Sequence, residues 1–238
     1  MKITVINGTE KHGVTWRLKE SFLEPFRGTA EITEFVLPRD CPNPCSGCAA
    51  CCTVGEARCK DAAYVQPIEQ ALLAADLLVF TSPAYVFHAT GAMKTLLDHF
   101  AYRWMPHRPA GEMFGKRAVI LTQCLGAGAK SAAKDIADSL SWWGVSDIRI
   151  RSFRLLADIL WDKLPEKKRA AMTRSMRRLG ERMLRIDYGR PARTRLAAKA
   201  RFLAVRMLHK RIGKDHPDSR DEQYWQESGW LGTARPWK

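Results

Sequence analysis

The stretch KITVINGTEKHGVT, residues 2–15, decides the fold of this 238-residue chain. Its first five residues are mostly β-branched and apolar, which is typical of a buried strand, and Gly8 and Gly13 bracket the polar loop that follows. We predict a helix from about Thr15. Backbone N–H groups at such a helix start, together with the helix dipole, favour an anion. The stretch therefore predicts either an anion site or an ordinary strand, turn and helix.

The spacing of this loop favours one phosphate over three. Gly8, four intervening residues, Gly13 and Thr15 resemble the phosphate loop of nucleoside-triphosphate hydrolases, but Val14 stands where that loop needs a lysine. A single terminal phosphate needs less, because helix-start amides and the hydroxyls of Thr9 and Thr15 suffice. The loop therefore indicates a mononucleotide.

Charge divides the chain into two parts. Residues 1–150 carry 16 Lys and Arg against 15 Asp and Glu, whereas residues 151–238 carry 23 against 10, so that +13 of the formal +14 lies in the second part. We predict a domain over residues 1–153 and a basic helical extension over residues 154–238. The sequence has no leader-like segment and no apolar run long enough to span a bilayer, which predicts a cytoplasmic protein.

Strand-like and helix-like segments alternate in the first part, as in βαβ units around a parallel sheet. The predicted strands cover residues 2–6, 31–37, 76–82, 117–123 and 147–153, and the predicted helices cover residues 15–26, 65–74, 90–102 and 130–143. The fold class is therefore α/β, a three-layer sandwich with a five-stranded parallel sheet. Ligands of such sheets bind beyond the carboxyl ends of the strands, where the strand order reverses.

Three loops lie at that edge of the predicted sheet, namely residues 7–14, 83–89 and 124–129. The second loop carries Pro83, Tyr85 and Phe87, and a flat heteroaromatic ring can rest on such residues; alternatively, both aromatic side chains are core for the next helix. In the third loop, Gly126 and Gly128 permit either a close approach to a ligand or a plain turn.

A family resemblance rests on these loops and two further segments. The first loop, the segment Ser82–Tyr85 followed by Gly91–Lys94, Leu97 and Asp98, and the cysteines after the second strand resemble the flavodoxin-fold NAD(P)H-dependent FMN reductases. They are most similar to the branch that includes the iron-sulfur flavoproteins, as is the ending at residues 224–231. The resemblance covers about the first 150 residues.

The resemblance implies FMN as the cofactor and NAD(P)H as the electron donor. It implies a phosphate site and a ring site made by these residues: Thr9, Lys11, Gly13, Val14 and Thr15 for the phosphate, and Pro83, Ala84, Tyr85, Val86 and Phe87 for the ring. The first loop of the family is usually richer in serine and asparagine, so Glu10 is a departure and is expected to point outward.

The implied function is an FMN-dependent oxidoreductase that passes electrons from NAD(P)H to a small acceptor such as a quinone. We predict no catalytic side chain, because the flavin itself takes the hydride. His88, His99 and His107 have no carboxylate or cysteine partner at ligand spacing in the sequence, and His88 is interpreted as a proton donor or as a hydrogen-bonded loop residue. The alternative class is a flavodoxin scaffold that only binds a partner or a membrane.

The cysteine run leaves three interpretations open. Cys45, Cys48, Cys51 and Cys59 form a C-x2-C-x2-C-x7-C pattern, which resembles the ligand loop of a four-iron cluster and predicts an electron carrier. Four cysteines also suit zinc. Thirdly, the thiols pack as small apolar side chains. Cys41 and Cys52 are surplus in all three.

The extension contains two predicted amphipathic helices. The first carries an apolar stripe at residues 172, 176, 179, 183 and 186, and the second carries Leu196, Ala200, Leu203 and Met207. These stripes are interpreted as docking on the sheet domain or on a second copy in a homo-oligomer. Alternatively, the basic helices lie on an anionic membrane surface. Nucleic acid is disfavoured, since no recognition motif accompanies the charge.

Overall fold

The computed structural model describes residues 1–156, 160–213, 215 and 218–237. Five parallel strands form one sheet in the order β2-β1-β3-β4-β5. The strands are β1 (Lys2–Asn7), β2 (Glu31–Val36), β3 (Leu77–Pro83), β4 (Arg117–Leu125) and β5 (Asp147–Leu155). The predicted sheet is confirmed, and the strand order reverses between β1 and β3.

Within the described residues, eight α-helices accompany the sheet. They are α1 (Val14–Leu23), α2 (Ala50–Thr53), α3 (Ala62–Ala74), α4 (Gly91–His99), α5 (Ala129–Trp143), α6 (Glu166–Leu184), α7 (Leu196–Ile212) and α8 (Arg220–Glu227). Helix α1 ends earlier than predicted and continues as a 3-10 turn over Glu24–Phe26, because Pro25 has no N–H to donate to the helical ladder.

The sheet is buried on both faces, which gives the predicted three layers. Its central strand β3 is buried along its whole length, as expected for a parallel strand with helices on either side. On one face, α3, α4 and α5 contribute side chains such as Ile68, Met93 and Ile136 to an apolar cluster with β3 and β4. On the other face, α1 contributes Leu18 and Phe22 to a second cluster.

Helix α6 completes the layer of α1. Met172, Met176, Leu179 and Met183 are at most 4% exposed and belong to the same apolar cluster as α1 and the sheet. The predicted stripe of the first extension helix is therefore confirmed, and it docks on the sheet domain.

The predicted stripe of the second extension helix is wrong. In α7, Leu196 is 81% exposed and Met207 is 69% exposed, and Ala200 and Leu203 are also exposed. The buried face instead presents Phe202, together with Ala198 and Val205. The ring of Phe202 packs within 5.3 Å of the Trp225 and Trp230 rings, and burying this aromatic cluster outweighs burying the aliphatic stripe.

Helix α8 closes the extension over the segment that follows α4. The indole N–H of Trp225, which is fully buried, donates to the His107 carbonyl at 2.7 Å, and Ser219 caps the helix by accepting from the Glu222 N–H. In the described part of the chain, no helix combines the length and the apolar character that a membrane crossing requires.

Candidate functional site

The first loop is fixed by its glycine. The Gly8 N–H donates to the Thr81 carbonyl at 2.7 Å, and the Thr90 hydroxyl donates to the Gly8 carbonyl at 2.6 Å. A Cβ at Gly8 would lie 2.8 Å from the Thr81 oxygen, which leaves no room for any other residue. The loop is thereby held between β3 and the start of α4.

The start of α1 is open to an anion. Gly13 precedes the helix and supplies no side-chain cap, and no acidic residue occupies the first turn. The first helical bond runs from the Arg17 N–H to the Gly13 carbonyl at 3.1 Å, so the amides of Val14, Thr15 and Trp16 precede the ladder. Thr15 is 2% exposed, whereas Glu10 and Lys11 are exposed and Thr9 is half-buried. Free amides and the helix dipole therefore favour a negative group at this turn.

The second loop forms a tight turn with a strained backbone. Tyr85 and His88 exchange backbone hydrogen bonds of 2.9 and 3.1 Å across Val86 and Phe87, which have φ angles of 48° and 69°. Left-handed backbone is costly for bulky or β-branched residues and is found mostly at ligand sites. Val86 is 90% exposed and Phe87 is 61% exposed. The turn thus holds apolar surface in solvent at a cost in stability.

The third loop lies against the second. Gly128, with φ of 104°, approaches so closely that a Cβ there would lie 2.7 Å from the Phe87 Cα atom. Beside this contact is a cavity of about 420 Å³, a volume typical of ligand pockets. Its lining includes Phe87, the third loop with the start of α5 (residues 124 and 126–131), and residues 152–154 of β5. Lys130 and Arg154 are its charged lining residues.

The structure brings the three predicted loops together at one edge of the sheet. Thr90 joins the first loop to the second, the Ala84 N–H donates to the Gln123 carbonyl at 2.7 Å, and Gly128 touches Phe87. Two buried acceptors at the carboxyl ends of β1 and β4, Asn7 Oδ1 and Gln123 Oε1, have no partner among the described residues. Buried polar groups usually have a hydrogen-bond partner, and the described residues supply none to these two oxygens.

Sequence reasoning missed several residues of this site. Thr90 makes the contact between the first and second loops. In the sequence it is recognisable only as the N-cap of α4, where its hydroxyl accepts a hydrogen bond from the Met93 N–H. Lys130 and Arg154 enter the cavity because α5 and β5 adjoin the third loop, and only their charge marks them in the sequence. Asp135 accepts from the Ala89 N–H at 2.9 Å and fixes the end of the second loop.

The fold gives all three histidines partners that their spacing in the sequence does not reveal. His88 Nδ1 lies 3.1 Å from Asp135 Oδ2, His99 Nδ1 lies 3.9 Å from Cys59 Sγ, and His107 Nδ1 lies 2.7 Å from Asp221 Oδ2. These partners lie between 40 and 114 residues away in the chain, so no local spacing reveals them. His88 is hydrogen-bonded to Asp135, and its predicted role as a proton donor stays a prediction.

The four cysteines of the C-x2-C-x2-C-x7-C pattern differ in exposure. Cys45 and Cys48 are exposed, and Cys51 and Cys59 are partly buried. Burial raises the pKa of the Cys51 thiol, and the nearby Cys59 and Cys45 add to the rise. Hydrogen bonds from the Ala50 backbone and the Ser46 side chain lower the pKa of Cys48. In the described residues, no three of these four sulfurs lie within 4.8 Å of one another, which does not support zinc bound by the four cysteines.

A buried arginine holds the cysteine-rich segment in place. The Arg108 side chain is 1% exposed and donates to the Cys51 and Cys52 carbonyls, and it also pairs with Glu56 and with Asp221 of α8. Burial raises the pKa of the Cys52 thiol to about 12, so that this sulfur stays protonated. The hydrogen bonds of the charged Arg108 side chain are of the charge-assisted kind, which is among the stronger kinds in proteins.

Comparisons with known proteins agree with this geometry. The model of the family described as NADPH-dependent FMN reductase matches residues 1–154. A curated relative, FMN-dependent NADH:quinone oxidoreductase 2 of Pseudomonas putida, is 35% identical over 86 residues, which cover 32% of this chain and 43% of the relative. The chain thus matches about two fifths of that relative's length.

Two solved structures share the fold. An FMN-dependent NADH-azoreductase from Bacillus anthracis in complex with FMN aligns with a TM-score of 0.58 at 13% identity, covering 77% of this chain and 99% of that one. A flavone reductase aligns with a TM-score of 0.59 at 14% identity, covering 99% and 98%. At such identities the similarity concerns the fold alone. The family match spans the whole sheet and all three loops of the site, and the chain therefore belongs to the NADPH-dependent FMN reductase family.

Proposed function

We propose that the chain binds FMN at the three-loop edge and transfers electrons from NAD(P)H to a small acceptor such as a quinone. The observation that carries this proposal is the open start of α1 at the strand-order reversal, joined through Thr90 to an exposed aromatic turn. An anion site beside an apolar platform matches a molecule with a phosphate at one end and a flat ring at the other.

The residues present fit FMN. The phosphate would be held by the amides of Val14 and Thr15, by the hydroxyls of Thr9 and Thr15, and by the exposed Lys11, while Glu10 is exposed. The ring would rest on residues 83–87, where Tyr85 and Phe87 present large exposed apolar surfaces. The unpartnered acceptors Asn7 Oδ1 and Gln123 Oε1 suit hydroxyl and ring N–H donors of the same cofactor.

Bound FMN supplies the redox chemistry, because it accepts a hydride and releases electrons. The chain supplies binding and orientation. Gly8 and Gly128 allow the close approach of the loops, and the Val86–Phe87 turn presents a fixed apolar surface. The 420 Å³ cavity beside Phe87 gives a second substrate a place next to the ring, and Lys130 and Arg154 there favour the phosphates of a dinucleotide. The name of the Pseudomonas relative supports a quinone as acceptor.

The phosphate site is tested by changes at Thr15. Thr15→Asp places a negative charge at the open helix start, and we expect the purified variant to contain no FMN. Thr15→Val removes one hydroxyl at constant volume, and we expect it to weaken FMN binding by about 10- to 100-fold, the worth of one hydrogen bond to a charged group. The measurement is flavin fluorescence titration, with the circular dichroism spectrum as a check on folding.

The exposed Thr53 of α2 offers the matched control, since Thr53→Asp adds the same charge away from the three loops. Full FMN retention by Thr15→Asp, with Thr53→Asp also unchanged, would place the phosphate site elsewhere.

A second interpretation adds a four-iron cluster at Cys45, Cys48, Cys51 and Cys59, which would make the chain an electron carrier of the iron-sulfur branch. The proximity of Cys45 and Cys59 to Cys51 supports it. The involvement of Cys59 with His99 weighs against it. Iron analysis of protein purified without oxygen decides, because a cluster requires about four irons per chain, as its composition dictates.

We further propose that the basic extension binds an anionic membrane surface. Helix α7 exposes Leu196, Leu203 and Met207, and basic residues surround them, which is the pattern of a helix lying at a lipid interface. Pairing of two copies through this face is the alternative. The predicted division at residues 153 and 154 and the predicted cytoplasmic location both stay predictions.

A further inference from the structure

Three side chains of the kinds that bind metal ions, Cys59, Asp61 and His99, come together outside the three loops. Cys59 and Asp61 precede α3, and His99 ends α4. One ligand atom from each residue lies within 4.8 Å of the other two. The side chains of His99 and Asp61 are 1% and 5% exposed, so this is an interior cluster.

The hydrogen bonds fix which atoms are free. His99 Nε2 lies 2.9 Å from the Asn43 carbonyl, which can only accept, so Nε2 carries the proton and Nδ1 keeps its lone pair. Nδ1 is the atom that lies 3.9 Å from Cys59 Sγ. A ring nitrogen held by a backbone carbonyl while the other faces the cluster is the arrangement of metal-bound histidines.

One oxygen of the Asp61 carboxylate lacks a partner among the described residues. Asp61 Oδ1 accepts from the Asn43 side-chain amide at 2.8 Å, but Oδ2 is buried and has no hydrogen-bond partner among the described residues. The Nε2 atom of His99 is 3.9 Å from this oxygen and already donates to the Asn43 carbonyl. A buried carboxylate without compensation is costly, and a bound cation would remove that cost.

We propose that Cys59, Asp61 and His99 bind one divalent transition-metal ion, with zinc the best match. Sulfur, imidazole nitrogen and carboxylate oxygen together form a donor set typical of zinc, whereas calcium and magnesium require oxygen alone. The donor atoms need to close by only about 1 Å to reach the spacing of tetrahedral ligands. The ion would join the end of α4 to the start of α3.

Metal binding to the full-length chain tests the proposal. After dialysis against a chelator, the protein is titrated with Zn²⁺ in competition with a chromogenic chelator, and with Co²⁺, whose thiolate charge-transfer and tetrahedral ligand-field bands report the ligands. We expect one ion per chain. We expect Asp61→Asn, which keeps the size of the side chain, and His99→Ala to weaken Zn²⁺ binding at least 100-fold. Asn43→Ala removes the side-chain hydrogen bond to Asp61 Oδ1 but keeps the backbone carbonyl that holds His99, and it should weaken Zn²⁺ binding about 10-fold.

Cys45→Ser and Cys48→Ser are the matched controls. Both cysteines are exposed and belong to the four-iron pattern, but neither belongs to the group of Cys59, Asp61 and His99. Both should keep full Zn²⁺ affinity, and FMN content measured on every variant separates loss of metal from loss of the flavin site. Absence of Zn²⁺ binding by the parent chain, or binding unchanged in Asp61→Asn and His99→Ala, overturns the proposal. The proposal would also be overturned if the parent chain held four irons and Cys48→Ser lost them, because Cys59 would then be a ligand of a four-iron cluster.

Discussion

Val86 and Phe87 occupy the two central positions of a turn whose backbone normally calls for asparagine and glycine. With φ angles of 48° and 69°, both residues lie in the left-handed region, at a cost on the order of 1–3 kcal/mol each. Their side chains recover little of this through burial, since both are well exposed. We therefore expect the strain to serve the apolar surface that these side chains offer to a ligand.

Replacing Val86–Phe87 with Asn-Gly should raise the free energy of unfolding by about 1–3 kcal/mol, because the new residues adopt this backbone without strain. The same change should weaken FMN binding by removing the apolar platform. Urea denaturation and flavin titration measure the two effects. Val54→Asn is the matched control, since Val54 is 63% exposed but has an ordinary φ of −109°, and its stability should stay within about 0.5 kcal/mol. A less stable Asn-Gly variant would contradict the strain argument.

Single residues also mark where prediction from sequence stops. Spacing in the sequence predicts the roles of Gly8, Gly13 and Thr15, because the strand, the loop and the helix start are consecutive in the chain. Other pairings depend on which distant segments the fold brings together. Thr90 meets Gly8 in this way, and Cys59 and Asp61 meet His99. Such pairings are properties of the sheet order and cannot be read from one local stretch.

At the level of elements, α6 and α1 pack unusually closely. Gly180 of α6 lies against the end of α1, and a Cβ there would overlap the Phe22 carbonyl oxygen and come within 3.2 Å of the Pro25 ring. The contact is with rigid backbone and a proline ring, so neither side can yield easily. Glycine at this position therefore sets how deeply the methionine stripe of α6 is buried.

Gly180→Ala should lower the free energy of unfolding by about 1–3 kcal/mol, as expected for overpacking. Helix propensity alone predicts the opposite sign, since alanine is favoured over glycine by about 1 kcal/mol within a helix. Ala171→Gly, on the exposed side of α6, is the control and should show the ordinary cost of about 1 kcal/mol. Thermal or urea unfolding reports both variants, and a stabilised Gly180→Ala protein would argue against close packing of the two helices.

The two extension helices show why an apolar pattern predicts a helix better than its buried face. In α6, the methionine stripe is the only large apolar set, and it is buried. In α7, Phe202 lies outside the predicted stripe but meets Phe114, Trp225 and Trp230, which come from three other segments. An aromatic cluster assembled from distant segments decides the orientation, and helical periodicity does not contain that information.

At the level of the whole molecule, part of the positive charge is concentrated in one groove. A groove of about 340 Å³ between β5 and α6 is lined by Arg151, Arg174, Arg178 and Arg182, without an acidic lining residue. The three arginines of α6 follow one another at four-residue steps and so share one helix face. A concentration of positive charge of this kind suits an anionic surface.

Replacing Arg174, Arg178 and Arg182 with glutamine should weaken binding to vesicles that contain anionic lipid by about 100-fold, since each basic residue near such a surface contributes roughly 1 kcal/mol. The control removes the same charge elsewhere, by glutamine at the exposed Arg27, Arg58 and Lys134. Co-sedimentation with anionic and with neutral vesicles, at low and high salt, is the measurement. Equal binding to both vesicle types, or binding that salt does not reduce, would rule out this surface.

The distribution of charged residues predicts the charge division, and the alternation of strand-like and helix-like segments predicts the α/β class, because each pattern extends over many residues. It does not predict the groove, since Arg151 of β5 and the arginines of α6 become neighbours only when α6 docks beside α1. The proposed flavin site is predicted in part. Its three loops follow from the rule for parallel sheets, whereas the 420 Å³ cavity depends on the exact approach of Gly128 to Phe87.

The bond between Arg108 and Asp221 of α8 has a consequence for biosynthesis. The two residues are 113 positions apart, yet the same arginine side chain anchors the Cys51 and Cys52 carbonyls. At about 5–20 residues per second, the ribosome needs roughly 6 to 23 s to make the intervening chain. During that interval Arg108 and the cysteines it contacts are already synthesised, but the arginine lacks its ion pair with Asp221. We therefore expect the thiols of a nascent chain to be accessible to metal ions and oxidants before the completed fold restricts which of these can reach them.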